Sequence, residues 1–159
     1  MELKTLSEIE IISAASSKIN EVDFENLTFG NVFTDHMLVC DYKDGAWQKP
    51  VIEPYAPFMI DPSSKVFHYG QAIFEGMKAY KDEQDDVWLF RPDENFHRFN
   101  KSASRMAMPE VPEDVFIGGL HKLLEIEKDW VKKGKGNTLY IRPFMIATGH
   151  GVIAAPSSE

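Results

Sequence analysis

The apolar positions of this chain change period twice. Val32 to Tyr42 reads as a long β-run, Asp44-Gly45 as a hairpin turn and Trp47 to Tyr55 as the returning strand. Pro50 and Pro54 assign that return to a sheet edge, because proline cannot donate to a central ladder. A loop punctuated by Pro57 and Asp61-Pro62 leads into Val66–Tyr69, within the stretch through Tyr80 where a strand is expected, and Met77–Lys81 pairs with Val87–Arg91 around the acidic turn Asp82–Asp86. Helical spacing begins after Pro92. Asp93 is the expected N-cap, Phe96, Phe99, Ala103 and Met106 share one face, and Pro109 ends the run. A second helix opens near Pro112, carries Phe116, Leu120, Leu123, Ile126 and Trp130, and closes at Lys132-Lys133-Gly134. Strand character returns over Thr138–Thr148. The pattern predicts an α+β fold of two layers, a mostly antiparallel sheet with two helices packed on it. Residues 1–26 form an N-terminal arm, 27–148 the domain, and the small, turn-forming residues 149–159 the start of a linker towards a further domain.

Composition narrows the function classes. The 159 residues are 43% hydrophobic, enough for one sizeable core. A formal charge of -8, spread along the chain, leaves no basic stripe for nucleic acid or an anionic membrane. The single cysteine, Cys40, lies in an apolar run, excludes an internal disulfide, and reads as a small buried hydrophobe. The five histidines show no metal-ligand spacing, so no metal is expected. Without an apolar run of membrane-spanning length or a leader pattern, the expected location is cytoplasmic.

Two segments carry candidate chemistry. His68-Tyr69-Gly70-Gln71-Ala72-Ile73-Phe74-Glu75-Gly76-Met77-Lys78-Ala79-Tyr80 places two glycines inside a strand-like run, a mark of a bulge or of close approach by a backbone or ligand. Alternation puts Phe74, Lys78 and Tyr80 on one face unless a bulge at Gly76 breaks the parity. In Leu139–Phe144, alternation puts Tyr140, Arg142 and Phe144 together, a guanidinium between aromatics suited to an anion; an ordinary solvated arginine is the equal alternative. Lys78 fits a solvated strand lysine better than a nucleophile, and Glu75 a hydrogen-bonded structural group better than a general base. Arg98, early in the first helix, suits a helix start better with an anion beside it, or else lies over the neighbouring phenylalanines.

Leu27–Met37, His68–Tyr80, Leu89-Phe90-Arg91-Pro92, Arg98, Glu127–Val131 and Leu139–Pro143 follow one another in an order that resembles the small domain of branched-chain amino-acid aminotransferases, pyridoxal-phosphate enzymes of fold type IV. The resemblance implies an amino-group transfer between leucine, isoleucine or valine and 2-oxoglutarate, with pyridoxal 5'-phosphate as cofactor. It implies that Arg98 holds the cofactor phosphate, that Phe29, Tyr69, Phe74 and Tyr140 wall the substrate side chain, and that Arg142 receives the distal carboxylate of glutamate. It further implies a homodimer with Tyr69 at the contact. The chain departs from the family pattern at Val152-Ile153-Ala154, and the family's cofactor-anchoring lysine belongs to a second, C-terminal domain. The chain taken alone is therefore expected to fold without transaminating. The alternatives are a D-amino-acid transaminase or aminodeoxychorismate lyase of the same fold type, or a non-catalytic assembly module.

Overall fold

A computed structural model describes residues 8–153. Ten short strands and three helices follow in the order β1 (Glu10–Ile11), β2 (His36–Val39), β3 (Tyr42–Lys43), β4 (Ala46–Trp47), β5 (Val51–Pro54), α1 (Lys65–Tyr69), β6 (Ala72–Phe74), β7 (Met77–Lys81), β8 (Val87–Leu89), α2 (Pro92–Arg105), α3 (Gly119–Ile126), β9 (Leu139–Ile141) and β10 (Phe144–Ile146). The class is α+β and the pairing mostly antiparallel. The only parallel pair among the described residues joins β1 to β5.

The central feature is one long antiparallel pairing made in two pieces. β6 pairs with β10, Phe74 opposite Phe144, and β7 pairs with β9, Met77 opposite Ile141. The Glu75 N–H donates to Pro143 O at 2.9 Å between them, so the register runs through without an extra residue. Side-chain parity is therefore kept across Gly76, and no bulge shifts it. Ile73, Glu75, Met77 and Ala79 point inward, while Phe74, Lys78 and Tyr80 point outward. The predicted strand Thr138–Thr148 is interrupted at Arg142-Pro143, where proline offers no N–H to the ladder.

The inward face meets the two long helices. α2 presents Phe99 and Ala103, and α3 with its lead-in presents Val115, Phe116, Leu120 and Leu124, to a core shared with Ile73, Met77 and Ala79. Arg91, with φ 49°, caps α2 and Pro92 occupies its first turn, so Asp93 lies inside the helix rather than at its N-cap. Met108 takes the core position expected of Met106, which is exposed, because the chain turns out of the helix at Ala107 with φ 53°.

The second helix begins with a wide π-turn at Asp114–Gly118 and stops at Ile126, short of the predicted Lys132-Lys133-Gly134 ending. Glu127 is buried and turned inward, accepting the Asp35 N–H at 3.2 Å and pairing with His36 Nδ1. Trp130 follows through a 3₁₀ turn and donates its indole N–H to Asp35 Oδ2 at 3.0 Å. Asp35 also accepts from Ser17 Oγ and from the Lys18 N–H at 2.9 Å, which ties the preceding segment to the domain. Burial pushes the Asp35 carboxyl up, but these hydrogen bonds outweigh it and hold its pKa below the usual value.

Three further expectations are corrected. β5 is the middle strand between β1 and β2, not an edge: its prolines lie at its ends, and Pro50 contributes a carbonyl that accepts from Glu10 N–H at 3.0 Å. The Asp44-Gly45 turn closes only the two-residue pair β3–β4, while the longer pairing is β2 with β5. Lys65–Tyr69 is a helix rather than strand, ended by Gly70 in the left-handed conformation at φ 61°, which a side chain would resist. Cys40 is half-buried; its thiol donates to Gln48 O at 3.2 Å, and burial pushes its pKa up to about 11.

Candidate functional site

The outward face of the long pairing gathers the aromatic and basic residues. Lys78 lies opposite Tyr140 and Phe74 opposite Phe144, so Gly76 faces Arg142 across the gap. Arg142 Nε and Nη2 both donate to Tyr140 Oη, at 3.2 and 2.9 Å. The same guanidinium stands 4.3 Å from the centre of the Phe74 ring, a cation–π distance. Phe29 meets Tyr140 edge-on at 5.1 Å, and Phe58 stacks on Phe144 at 6.5 Å. Phe29 is 75% exposed and Phe74 63%, so these rings form an open wall rather than core. A patch of this kind is characteristic of a binding surface.

Phe29, Phe74, Tyr140 and Arg142 are thus brought together, although they come from three separate stretches of chain. Tyr69 stands apart from these contacts. Its hydroxyl donates to Val152 O, so it touches the segment leaving β10. Of the departing Val152-Ile153-Ala154 segment, Ala154 lies outside the described residues.

Arg98 approaches from the other side of the strand. Glu75 points inward from the residue next to Phe74, and Arg98 grips it with Nε to Oε1 at 2.9 Å and Nη2 to Oε2 at 2.7 Å. Asn95 Nδ2 adds a third bond to Oε2 at 2.9 Å. The Glu75 side chain is only 10% exposed, whereas that of Arg98 is 62% exposed. The Arg98 hydrogen bond holds the Glu75 carboxyl below its usual range against the opposing effect of burial, with Asn95 assisting. The Arg98 pKa is raised in turn by Glu75. Nε and Nη2 of Arg98 are taken up by Glu75, while the side chain as a whole stays largely exposed.

An anion fits both places, in different ways. At Arg142 the partners are neutral, so the positive charge is undiminished and apolar rings surround it. At Arg98 the exposed side chain fits one contact to a phosphate, with the carboxylate behind it fixing the direction. Phe58 was not among the residues singled out for this wall, and Phe144 was placed there by strand alternation alone. Phe58 sits in an irregular loop whose sequence carries no positional signal. The dependence of Arg98 on Glu75 was equally hidden, because the pair spans 23 residues and two elements.

The structure superposes on the branched-chain amino acid aminotransferase of Thermobaculum terrenum, solved in its PLP form, with a TM-score of 0.55 and 19% identity, over 77% of this chain and 36% of that one. By sequence the chain is 56% identical over 127 residues to branched-chain-amino-acid transaminase 1 of Bacillus subtilis, covering 79% of this chain and 36% of that protein. It is 53% identical over 138 residues to a probable branched-chain-amino-acid aminotransferase of Staphylococcus epidermidis, covering 86% and 38%. No protein-family model matches the chain. The chain belongs to the branched-chain-amino-acid aminotransferases, and it spans 36% to 38% of the length of these two relatives.

Proposed function

We propose that the protein carrying this chain transfers an amino group between leucine, isoleucine or valine and 2-oxoglutarate with pyridoxal 5'-phosphate, and that this domain supplies the substrate wall and one phosphate contact. The observation that carries the reading is the Arg142 cradle: a full positive charge held by a phenol and a phenyl ring within an aromatic surface. An aliphatic side chain packs on the rings of Phe29, Phe74 and Tyr140, and a dicarboxylate places its second carboxylate on Arg142. One surface then serves both amino donors.

Arg98 holds the cofactor phosphate, oriented by Glu75. When bound, the cofactor supplies the electron sink for charge developing at the substrate α-carbon. The chain's own residues bind, orient and exclude water. Tyr69 belongs to the substrate wall in this reading, and its half-exposed ring, beside the segment leaving β10, is offered to a second subunit of a homodimer. A cytoplasmic location agrees with the finding that no helix among the described residues is long and apolar enough to cross a membrane.

Steady-state kinetics on the protein carrying this chain test the reading. Arg142→Ala lowers kcat/KM for glutamate and 2-oxoglutarate by about 10- to 100-fold, the worth of one charge-assisted contact, and spares leucine. Equal losses for leucine and glutamate overturn the distal-carboxylate role. Arg98→Ala weakens pyridoxal-phosphate binding in a cofactor titration while circular dichroism stays native; normal binding removes Arg98 from the phosphate site.

A further inference from the structure

Gly76 lies in register across from Arg142, yet the two do not define the site by themselves. Between them sits the Tyr140 hydroxyl. A Cβ built on Gly76 would overlap Tyr140 Oη, and would stand 3.0 Å from Cζ and 3.3 Å from Cε2 of the same ring. The backbone is not the reason for glycine here, since Gly76 is absent from the residues with positive φ. An alanine would suit the local conformation. What it would not suit is the phenol.

We infer that Gly76 is a positioning residue for the Arg142 anion site: the missing side chain is the seat of the Tyr140 hydroxyl, and the seated hydroxyl fixes the Arg142 guanidinium. Among the described residues Arg142 forms no ion pair with a carboxylate. Its direction depends on two neutral partners, Tyr140 Oη and the Phe74 ring. A long exposed arginine without such partners samples many rotamers, so a displaced hydroxyl leaves it disordered. Gly76 therefore acts on the arginine through the tyrosine and touches no ligand itself.

The consequence for function rests on the proposed carboxylate role of Arg142. With the seat filled, dicarboxylates lose their anchor while aliphatic donors keep most of the wall. Gly76→Ala is expected to lower kcat/KM for glutamate roughly tenfold more than for leucine, the worth of about one hydrogen bond to a charged group.

The decisive measurement reads the arginine directly. In ¹⁵N-labelled protein the Arg142 Nε–H resonance, identified by its loss in Arg142→Lys, exchanges slowly with solvent while it donates to Tyr140. Gly76→Ala accelerates that exchange, and so does Tyr140→Phe, which removes the acceptor without touching the strand backbone. In the Tyr140→Phe background, adding Gly76→Ala has little further effect on exchange or on the glutamate-to-leucine ratio, because Arg142 has already lost the acceptor through which Gly76 acts. Unchanged Arg142 exchange in either single variant overturns the inference. So does a Gly76→Ala effect of the same size with and without the hydroxyl. Should Arg142→Ala spare glutamate, the carboxylate reading falls alone, and the exchange cycle still decides whether Gly76 positions the arginine.

Discussion

Arg98 and Arg142 approach neighbouring residues of one strand from opposite sides, and each is held by a different kind of partner. Arg98 meets the inward Glu75, a carboxylate that fixes direction at the expense of net charge. Arg142 meets the outward Phe74 ring and a phenol, which fix direction and leave the charge intact. The strand alternation that separates Phe74 from Glu75 is what allows both solutions side by side. In the proposed function this difference matters: a contact to a group that stays bound tolerates a compensated arginine, whereas a site proposed to take a carboxylate and an aliphatic side chain in turn needs charge that no resident carboxylate has already claimed.

The comparison can be broken from the inward side first. Glu75→Ala removes the acceptor of three hydrogen bonds from Arg98 and Asn95. Arg98 regains water, whereas the buried Asn95 is left with its longer bond to Gly76 O at 3.3 Å, so we expect a loss of about 2 kcal/mol in urea unfolding. A loss below ~0.5 kcal/mol would show that the pair orients Arg98 without contributing to the fold.

Acid sharpens the contrast. Because Arg98 holds the Glu75 carboxyl below its usual range, the unfolded chain takes up that proton first as pH falls. The Glu75 contribution is therefore complete above the unfolded carboxyl's ordinary pKa and is lost as pH falls through the lowered folded value. Unfolding midpoints measured from neutral pH into that acid range should fall more steeply for wild type than for Glu75→Gln. Asp35, whose pKa is also lowered, titrates in both proteins and cancels in the difference. Arg142→Ala keeps the wild-type slope, since no carboxylate answers to it. A flattened slope in Arg142→Ala would mean that the two arginines are not independent.

The smallest effect belongs to the outward side. Tyr140→Phe removes a hydroxyl at a half-exposed position whose hydrogen-bond partner returns to water. Its cost in stability should stay within about 0.5 kcal/mol, even as glutamate handling suffers. Differential scanning calorimetry alongside kinetics separates the two, and a large stability loss would make Tyr140 part of the core rather than of the site.

What the sequence showed and what it hid follow from the range of the interactions. Phe99, Ala103, Phe116 and Leu120 were legible because burial imposes a 3.6-residue period on each helix separately. Tyr140, Arg142 and Phe144 were legible as one face because strand parity is equally local. Parity also held through Gly76, where a bulge had been conceivable, because the partner strand breaks at Pro143 instead. The helix end at Ile126 was not legible: Glu127 leaves the helical path for Asp35 and His36, far away in the chain. Tripeptides such as Phe74-Glu75-Gly76 carry no trace of what each side chain meets, since Arg142, Arg98 and Tyr140 arrive from other elements.

The inward turn of Glu127 and Trp130 also bears on how the chain folds. Asp35 is separated by 92 residues from Glu127 and by 95 from Trp130. The Asp35 carboxylate finds Ser17 and Lys18 close by in the chain, but the residue's backbone N–H and its bond from Trp130 wait for residues far along it. Contacts of such separation raise the contact order of the domain, and a fold that depends on them closes more slowly than one built from local pairs.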